Sequence, residues 1–133
     1  MFKNFFILFL LFFVLVECSK KDNKAIEYEP TEEEMVIAIY DEAVDSLKEG
    51  DAFFAAKKFR EVEGLMPQSS WAAKASLMSA YADYSRNSYS DSIFGLERHI
   101  NNYPADKNIP YAHYLIAICY YEQILDERKD LRP

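Results

Sequence analysis

Two cysteines, two histidines and several runs of carboxylates are the residues here whose types bear on chemistry. His99 follows Arg98, and His113 lies among tyrosines. Neither belongs to an HxxxH pair or to a Cys/His cluster at ligand spacing, so no metal site is expected. Cys119 falls inside an apolar stretch and has no base at a telling spacing. It reads as a core or inter-repeat residue rather than a nucleophile. Glu32-Glu33-Glu34 and Asp41-Glu42 sit where helices start or face outward, where carboxylates favour the helix dipole. No glycine-rich phosphate loop occurs. The expectation is a chain that is not an enzyme, with no catalytic residue, no metal and no cofactor.

Cys18 is different. It ends an unbroken apolar run, Phe5–Val16, that follows a short start carrying Lys3. The run is too short for a membrane span, which takes about 20 residues, and it fits the apolar core of a secretory signal. Leu15-Val16-Glu17-Cys18-Ser19 resembles a bacterial lipobox, although Glu17 stands where that pattern has Gly, Ala or Ser. The resemblance implies cleavage before Cys18 and acylation of it. Two or more acyl chains give stable membrane attachment where one does not. Ser19 rather than Asp after the cysteine implies sorting to the outer membrane. Ser19 to Pro30 is polar and charged and reads as a flexible tether. The expected organisation is therefore a lipoprotein signal peptide over 1–17, the lipidated Cys18 and tether over 18–30, and a folded domain over 31–133.

That domain must be built from helices. Only three glycines argue against a turn-rich β fold, and no stretch alternates with period two. A net charge of -7 argues against nucleic acid as a partner, because phosphate recognition needs a basic face. The chain superposes on itself at one offset of 37 residues: Tyr40, Leu77 and Tyr114 correspond, as do Ala43, Ala80 and Ala117, and Leu47, Tyr84 and Tyr121. Phe59 matches Leu96, Met66 matches Tyr103, and Pro67 matches Pro104. The implied units are 31–67, 68–104 and an incomplete third, 105–133.

Each unit reads as a helix pair. Thr31 and Glu34 form a capping box, after which Val36, Ile39, Tyr40, Ala43 and Leu47 share a face. Gly50 ends that helix and Asp51 caps the next, whose face is Ala55, Phe59, Val62 and Met66 before Pro67. The second unit starts at Ser70, with Ala73, Leu77, Ala80, Tyr81 and Tyr84 on one face. Ile93, Leu96, Ile100 and Tyr103 follow before Pro104. The third first-helix starts near Pro110, with Tyr111, Tyr114, Leu115, Ile118 and Leu125 as its face. Small residues such as Ala43, Ala80 and Ala117 let paired helices approach while large neighbours fill the space. This small–large alternation is that of tetratricopeptide repeats, with Gly50, Ala55, Phe59 and Pro67 in unit one and Ala80, Tyr89 and Pro104 in unit two. Ala52, Ser92 and Asn87 depart from the usual aromatic, Ala and Gly. The expected fold is all-α, a tetratricopeptide-repeat right-handed solenoid of about two and a half repeats. The last helix is apolar and rich in Tyr, unlike a polar solenoid end, so the chain is expected to be truncated or completed by a partner.

The repeat columns together with the lipobox resemble the BamD family of outer-membrane assembly lipoproteins. The resemblance spans most of Tyr40 to Asp130. Its more specific stretches are Trp71-Ala72 with Ala80-Tyr81 and Tyr84, Tyr89 through Leu96-Glu97-Arg98 to Tyr103-Pro104, and Asn108 with Tyr111, Tyr114 and Leu115. Asp126, Lys129 and Asp130 are similar to a charged segment of the family, with Lys129 in place of an Arg. The resemblance implies a scaffold of the β-barrel assembly machinery, lipid-anchored in the outer membrane of a Gram-negative bacterium and facing the periplasm. Its implied partners are other subunits of that machinery and unfolded outer-membrane β-barrel proteins. Family members are longer, so this chain would hold roughly the first half. The other reading is a repeat lipoprotein that scaffolds a peptidoglycan or division complex. Stacked first-helices line a groove in such repeats, and Tyr111 and Tyr120 are the candidate groove residues, offering contact area and a hydroxyl at low entropy cost.

Overall fold

Polar side chains close on the free amides at three of the helix starts. A computed structural model describes residues 29–124, and these form α1 (Glu32–Lys48), α2 (Ala52–Leu65), α3 (Ser70–Ser85), α4 (Tyr89–Asn102) and α5 (Ile109–Glu122). No strand occurs among the described residues. At α1, Glu34 N donates to Thr31 Oγ1 at 3.3 Å, and Thr31 N donates to Glu34 Oε2 at 2.8 Å. Such a cap contributes about 1 kcal/mol. Asp51 accepts from Phe54 N at 3.0 Å, and Ser69 accepts from Ala72 N at 3.1 Å. Pro110 occupies the first turn of α5, where its missing N–H costs nothing.

Two helix ends are the same device at the repeat offset. After α1, Asp51 N donates to Ser46 O at 2.9 Å and Gly50 N to Leu47 O at 3.2 Å, with Gly50 at φ 92°. After α3, Ser88 N donates to Asp83 O and Asn87 N to Tyr84 O, each at 2.9 Å, with Asn87 at φ 62°. Both turns place a left-handed residue just past the helix and satisfy its last carbonyls. Asn substitutes for Gly there because its short polar side chain tolerates that region.

Each helix packs on the next, and α3 also touches α1 and α5. One core cluster joins Val36 and Ala43 of α1 to Ala55, Phe59 and Val62 of α2 and Ala75 and Ala82 of α3. The Tyr40 ring stands edge-on to Phe59 at 5.2 Å and to Trp71 at 5.3 Å. A second cluster joins Leu77, Ala80, Leu96, Ala112 and Leu115. Helices α3 and α4 approach closely at Ala80 and Gly95, where a Cβ on Gly95 would lie 3.0 Å from that of Ala80. Beside it, Ser92 Oγ donates to Ala80 O at 2.8 Å, and Cys119 Sγ lies 3.5 Å from Ser92 Oγ.

Two expectations about faces need correction. For α3 one apolar face was expected; the helix is instead buried around most of its girth, through Ala72, Ala75, Ser76, Leu77, Ser79, Ala80, Ala82 and Asp83. Small residues permit this, because four helices crowd the same rod. For α5 the buried residues are Ala112, Leu115 and Cys119, whereas Tyr111 and Tyr114 are 41% and 60% exposed. Ala117 is exposed as well, unlike Ala43 and Ala80 in its column. The reason is that α1 and α3 are each covered by the helix that follows them. Among the described residues α5 packs on α4 and α3 alone. Leu125 lies outside the described residues.

Candidate functional site

A surface recess of about 410 Å³ runs across the first helices of the units. Tyr40 of α1 forms one wall. Lys74, Leu77, Met78 and Tyr81 of α3 form the floor. Asn108 and Tyr111, at the start of α5, form the other wall. Trp71, one turn before Lys74, is held edge-on by Tyr40, and the Lys74 ammonium sits 4.3 Å from its ring centroid. A cation over an indole at an exposed site contributes about 0.5–1 kcal/mol.

Burial raises the Tyr40 phenol above its usual pKa, with Asp41 adding to the shift. Burial likewise raises Tyr111, followed by the neighbouring Tyr81, Tyr114 and Tyr84. Both hydroxyls therefore stay neutral at ordinary pH and can donate or accept. The recess thus offers flat apolar rings, neutral hydroxyls and one cation.

A second recess, about 520 Å³, lies across the other helices, bounded by Glu63 of α2 and Arg98 of α4 with Pro67 and Tyr103. Its charges are already matched. Arg98 Nη2 donates to Glu63 Oε2 at 2.7 Å, and Tyr103 OH donates to Pro67 O at 3.2 Å. Arg60, on its rim, bonds the carboxylate of Asp83. Asp83 is 2% exposed and also accepts from Arg86 Nε at 3.1 Å, while Arg86 reaches Asp91 at 3.2 Å. This chain of charges ties α2, α3 and α4 together.

Of the sequence-expected groove residues, Tyr111 lies on the wall of the first recess. Tyr120 is 47% exposed and is not among the residues lining it. Cys18 lies outside the described residues. The sequence places Tyr40 and Tyr81 on packing faces and marks Asn108 only through the family resemblance, and it assigns Lys74 no role. The signal for Lys74 was present: it stands at the repeat offset from Tyr111, so the column that suggested one groove residue also contains the other. His99 is fully buried against Tyr103, with ring centroids 5.6 Å apart and neither nitrogen hydrogen-bonded. Cys119 is buried and unpaired with any other cysteine. Among the described residues no group of three His, Cys, Asp or Glu side chains is placed to hold a metal ion, and no helix is long and apolar enough to cross a membrane.

Consecutive helix pairs that bury small residues between them and leave an aromatic recess across their first members define an all-helical hairpin-repeat protein. Residues 32–132 match the family YfiO, described as outer membrane lipoprotein, and the chain belongs to it. It is 41% identical over 99 residues to the outer membrane protein assembly factor BamD of Caulobacter vibrioides, covering 74% of this chain and 32% of that protein. BamD of Rickettsia prowazekii is 31% identical over 95 residues, 71% of this chain and 38% of that protein. BamD of Xylella fastidiosa is 28% identical over 110 residues, 82% of this chain and 36% of that protein. The chain spans about a third of the length of these curated relatives. It corresponds to an N-terminal part of BamD. No solved structure gives a significant match.

Proposed function

We propose that this chain is a lipid-anchored scaffold segment that helps assemble β-barrel proteins into the outer membrane. It acts by holding polypeptide and has no catalytic chemistry of its own. The observation that carries this reading is the match of nearly the whole described domain to relatives named as outer membrane protein assembly factors. The recess of Tyr40, Tyr81 and Tyr111 supports it physically, since neutral aromatic walls suit an extended, unfolded segment.

In this reading residues 1–17 are a signal peptide. Cys18 is acylated and 18–30 tether the domain to the outer membrane so that it faces the periplasm. Residues 31–67, 68–104 and 105–133 are successive tetratricopeptide units of a right-handed solenoid. The two matching Schellman turns at Gly50 and Asn87 favour that repeat assignment. The partners are other subunits of the assembly machinery and unfolded β-barrel proteins, with Tyr111 contacting the latter and Tyr120 a further contact.

Affinity purification from detergent-solubilised envelopes of the host bacterium is the test. Co-recovery of β-barrel assembly subunits is expected. Recovery of a cell-wall synthase or division complex without them would overturn the reading. Cys18→Ala is expected to move the protein from the membrane pellet to the soluble periplasmic fraction. Unchanged membrane retention would remove acylation at Cys18 from the account.

A further inference from the structure

Among the described residues most lysines and arginines are paired with carboxylates. Every arginine among the described residues holds a carboxylate: Arg60 and Arg86 share Asp83, and Arg98 holds Glu63. Lys48 and Lys58 hold Asp45 and Glu42. Lys74 holds none. Its partner is the face of Trp71, and it is the only charged residue lining the recess. A chain with net charge -7 has many carboxylates to offer, yet none among the described residues lies within ion-pair distance of this ammonium. The cation sits on the middle helix, with aromatic walls on both sides: Tyr40 on α1 and Tyr111 on α5.

We propose that Lys74 gives the recess its selectivity, by pairing with the side-chain carboxylate of an Asp or Glu within an extended polypeptide segment whose flanking aromatic residues lie against Tyr40 and Tyr111. The proposal rests on reading the recess as a polypeptide-binding surface. In an extended chain, residues i and i±2 point the same way. An acidic residue directed at Lys74 therefore sends its second neighbours on either side towards the two walls, which gives the pattern aromatic, spacer, acid, spacer, aromatic. A carboxylate at a chain end would fill only one side of the cation and leave the other wall uncovered. That argues for an internal side chain as the source. Pairing strengthens because the aromatic walls displace water around the ions, while the open side keeps the ammonium from being stranded when the recess is empty.

Trp71 is the only tryptophan of the chain, and Lys74 lies over it, so its fluorescence reads the event directly. The full chain is titrated with the acetylated, amidated peptide Gly-Phe-Thr-Glu-Thr-Phe-Gly and with its Gln counterpart. A third peptide carries Gln in the centre and a free C-terminal carboxylate. The Glu peptide is expected to bind roughly five- to tenfold more tightly than the Gln peptide, with the preference shrinking as salt is raised. In Lys74→Met, which circular dichroism should show to be fully helical, the preference is expected to vanish. Equal binding of the Glu and Gln peptides, or a preference that survives Lys74→Met, overturns the role of Lys74. If binding is nonetheless seen and weakens in Tyr111→Ala, the polypeptide-binding reading stands. Tight, Lys74-dependent binding of the free-carboxylate peptide alone overturns the internal side chain as the source. Failure of all three peptides to bind overturns both readings.

Discussion

The two recesses of this molecule differ in one respect that matters most: whether their charges are already satisfied. In the recess across α2 and α4, Arg98 is closed on Glu63, and Arg60 is closed on Asp83, which also holds Arg86. In the recess across α1, α3 and α5, the rings are only partly covered and the one cation lies on an indole. A paired charge network fixes how helices sit on one another, because breaking it leaves an ion without compensation. An aromatic surface with an unpaired cation adds little to folding and remains free to engage something else. The recess across α2 and α4 is therefore where the chain spends structure to hold structure, and the recess across α1, α3 and α5 is where it keeps capacity for a partner.

The sharpest way to break that contrast is at Asp83. Its carboxylate is 2% exposed and takes hydrogen bonds from two guanidinium groups, one on α2 and one at the end of α3 itself. Asp83→Ala leaves both arginines without it. Because Arg60 and Arg86 are partly exposed, water offsets some of the loss, and about 2–3 kcal/mol of destabilisation is expected rather than the full cost of a buried broken pair. For a domain of this size that is a fall in Tm of roughly 10 °C or more. Thermal unfolding followed by circular dichroism measures it. A Tm within a degree or two of the parent would mean that the network is decoration and that the two recesses do not divide the labour.

A smaller effect is expected at His99. Burial holds its imidazole below the ordinary pKa, while the carboxylates of Asp106 and Glu63 pull the other way. Neither ring nitrogen has a hydrogen-bond partner, so the fold accommodates the neutral ring. The unfolded chain then binds the proton first, starting near its ordinary value of about 6.5. Stability from this group is intact above that pH and declines as pH falls below it, down towards the depressed folded value. His99→Phe keeps a ring against Tyr103 and removes the proton. The slope of Tm between pH 7.5 and 5 is expected to flatten, with Tm at pH 7.5 unchanged or slightly raised, since no hydrogen bond is lost. An unchanged slope would show that the ring is solvated.

How much of this was legible in the sequence follows the same division. The helix pairs were readable because their punctuation is local: Thr31 with Glu34, Gly50 and Pro67 act on their own backbone and need no tertiary partner. The offset of 37 residues reappears bond for bond, from Asp51 N on Ser46 O to Ser88 N on Asp83 O. The faces of α3 and α5 were less readable because burial depends on how many neighbours a helix has. A one-face pattern cannot show that α3 lies among four helices, nor that Tyr114 and Ala117 stand on a face that no described helix covers. The role of Asp83 is hidden in the sequence for a related reason. A carboxylate inside a run of small residues reads as solvated until the guanidinium groups brought to it by α2 and the end of α3 are in place.

The smallest effect on stability, and the one that tests the other half of the contrast, is at Tyr111. The residue is 41% exposed, and its ring leans on Tyr114 at 6.3 Å, itself a surface residue. Truncation to Ala removes contact area that is already largely in water, so Tyr111→Ala is expected to change stability by about 0.5 kcal/mol or less. Binding of aromatic-containing extended peptides should nonetheless weaken severalfold, because the wall facing Tyr40 across the recess is gone. Tyr120→Ala makes the comparison internal to α5. That side chain is similarly exposed but lies off the recess, so peptide affinity is expected to stay within twofold of the parent. Equal losses in the two variants would mean that the binding surface spreads over the open face of α5 rather than across the first helices. The distinction between a satisfied and an unsatisfied recess would then have to be redrawn around that face.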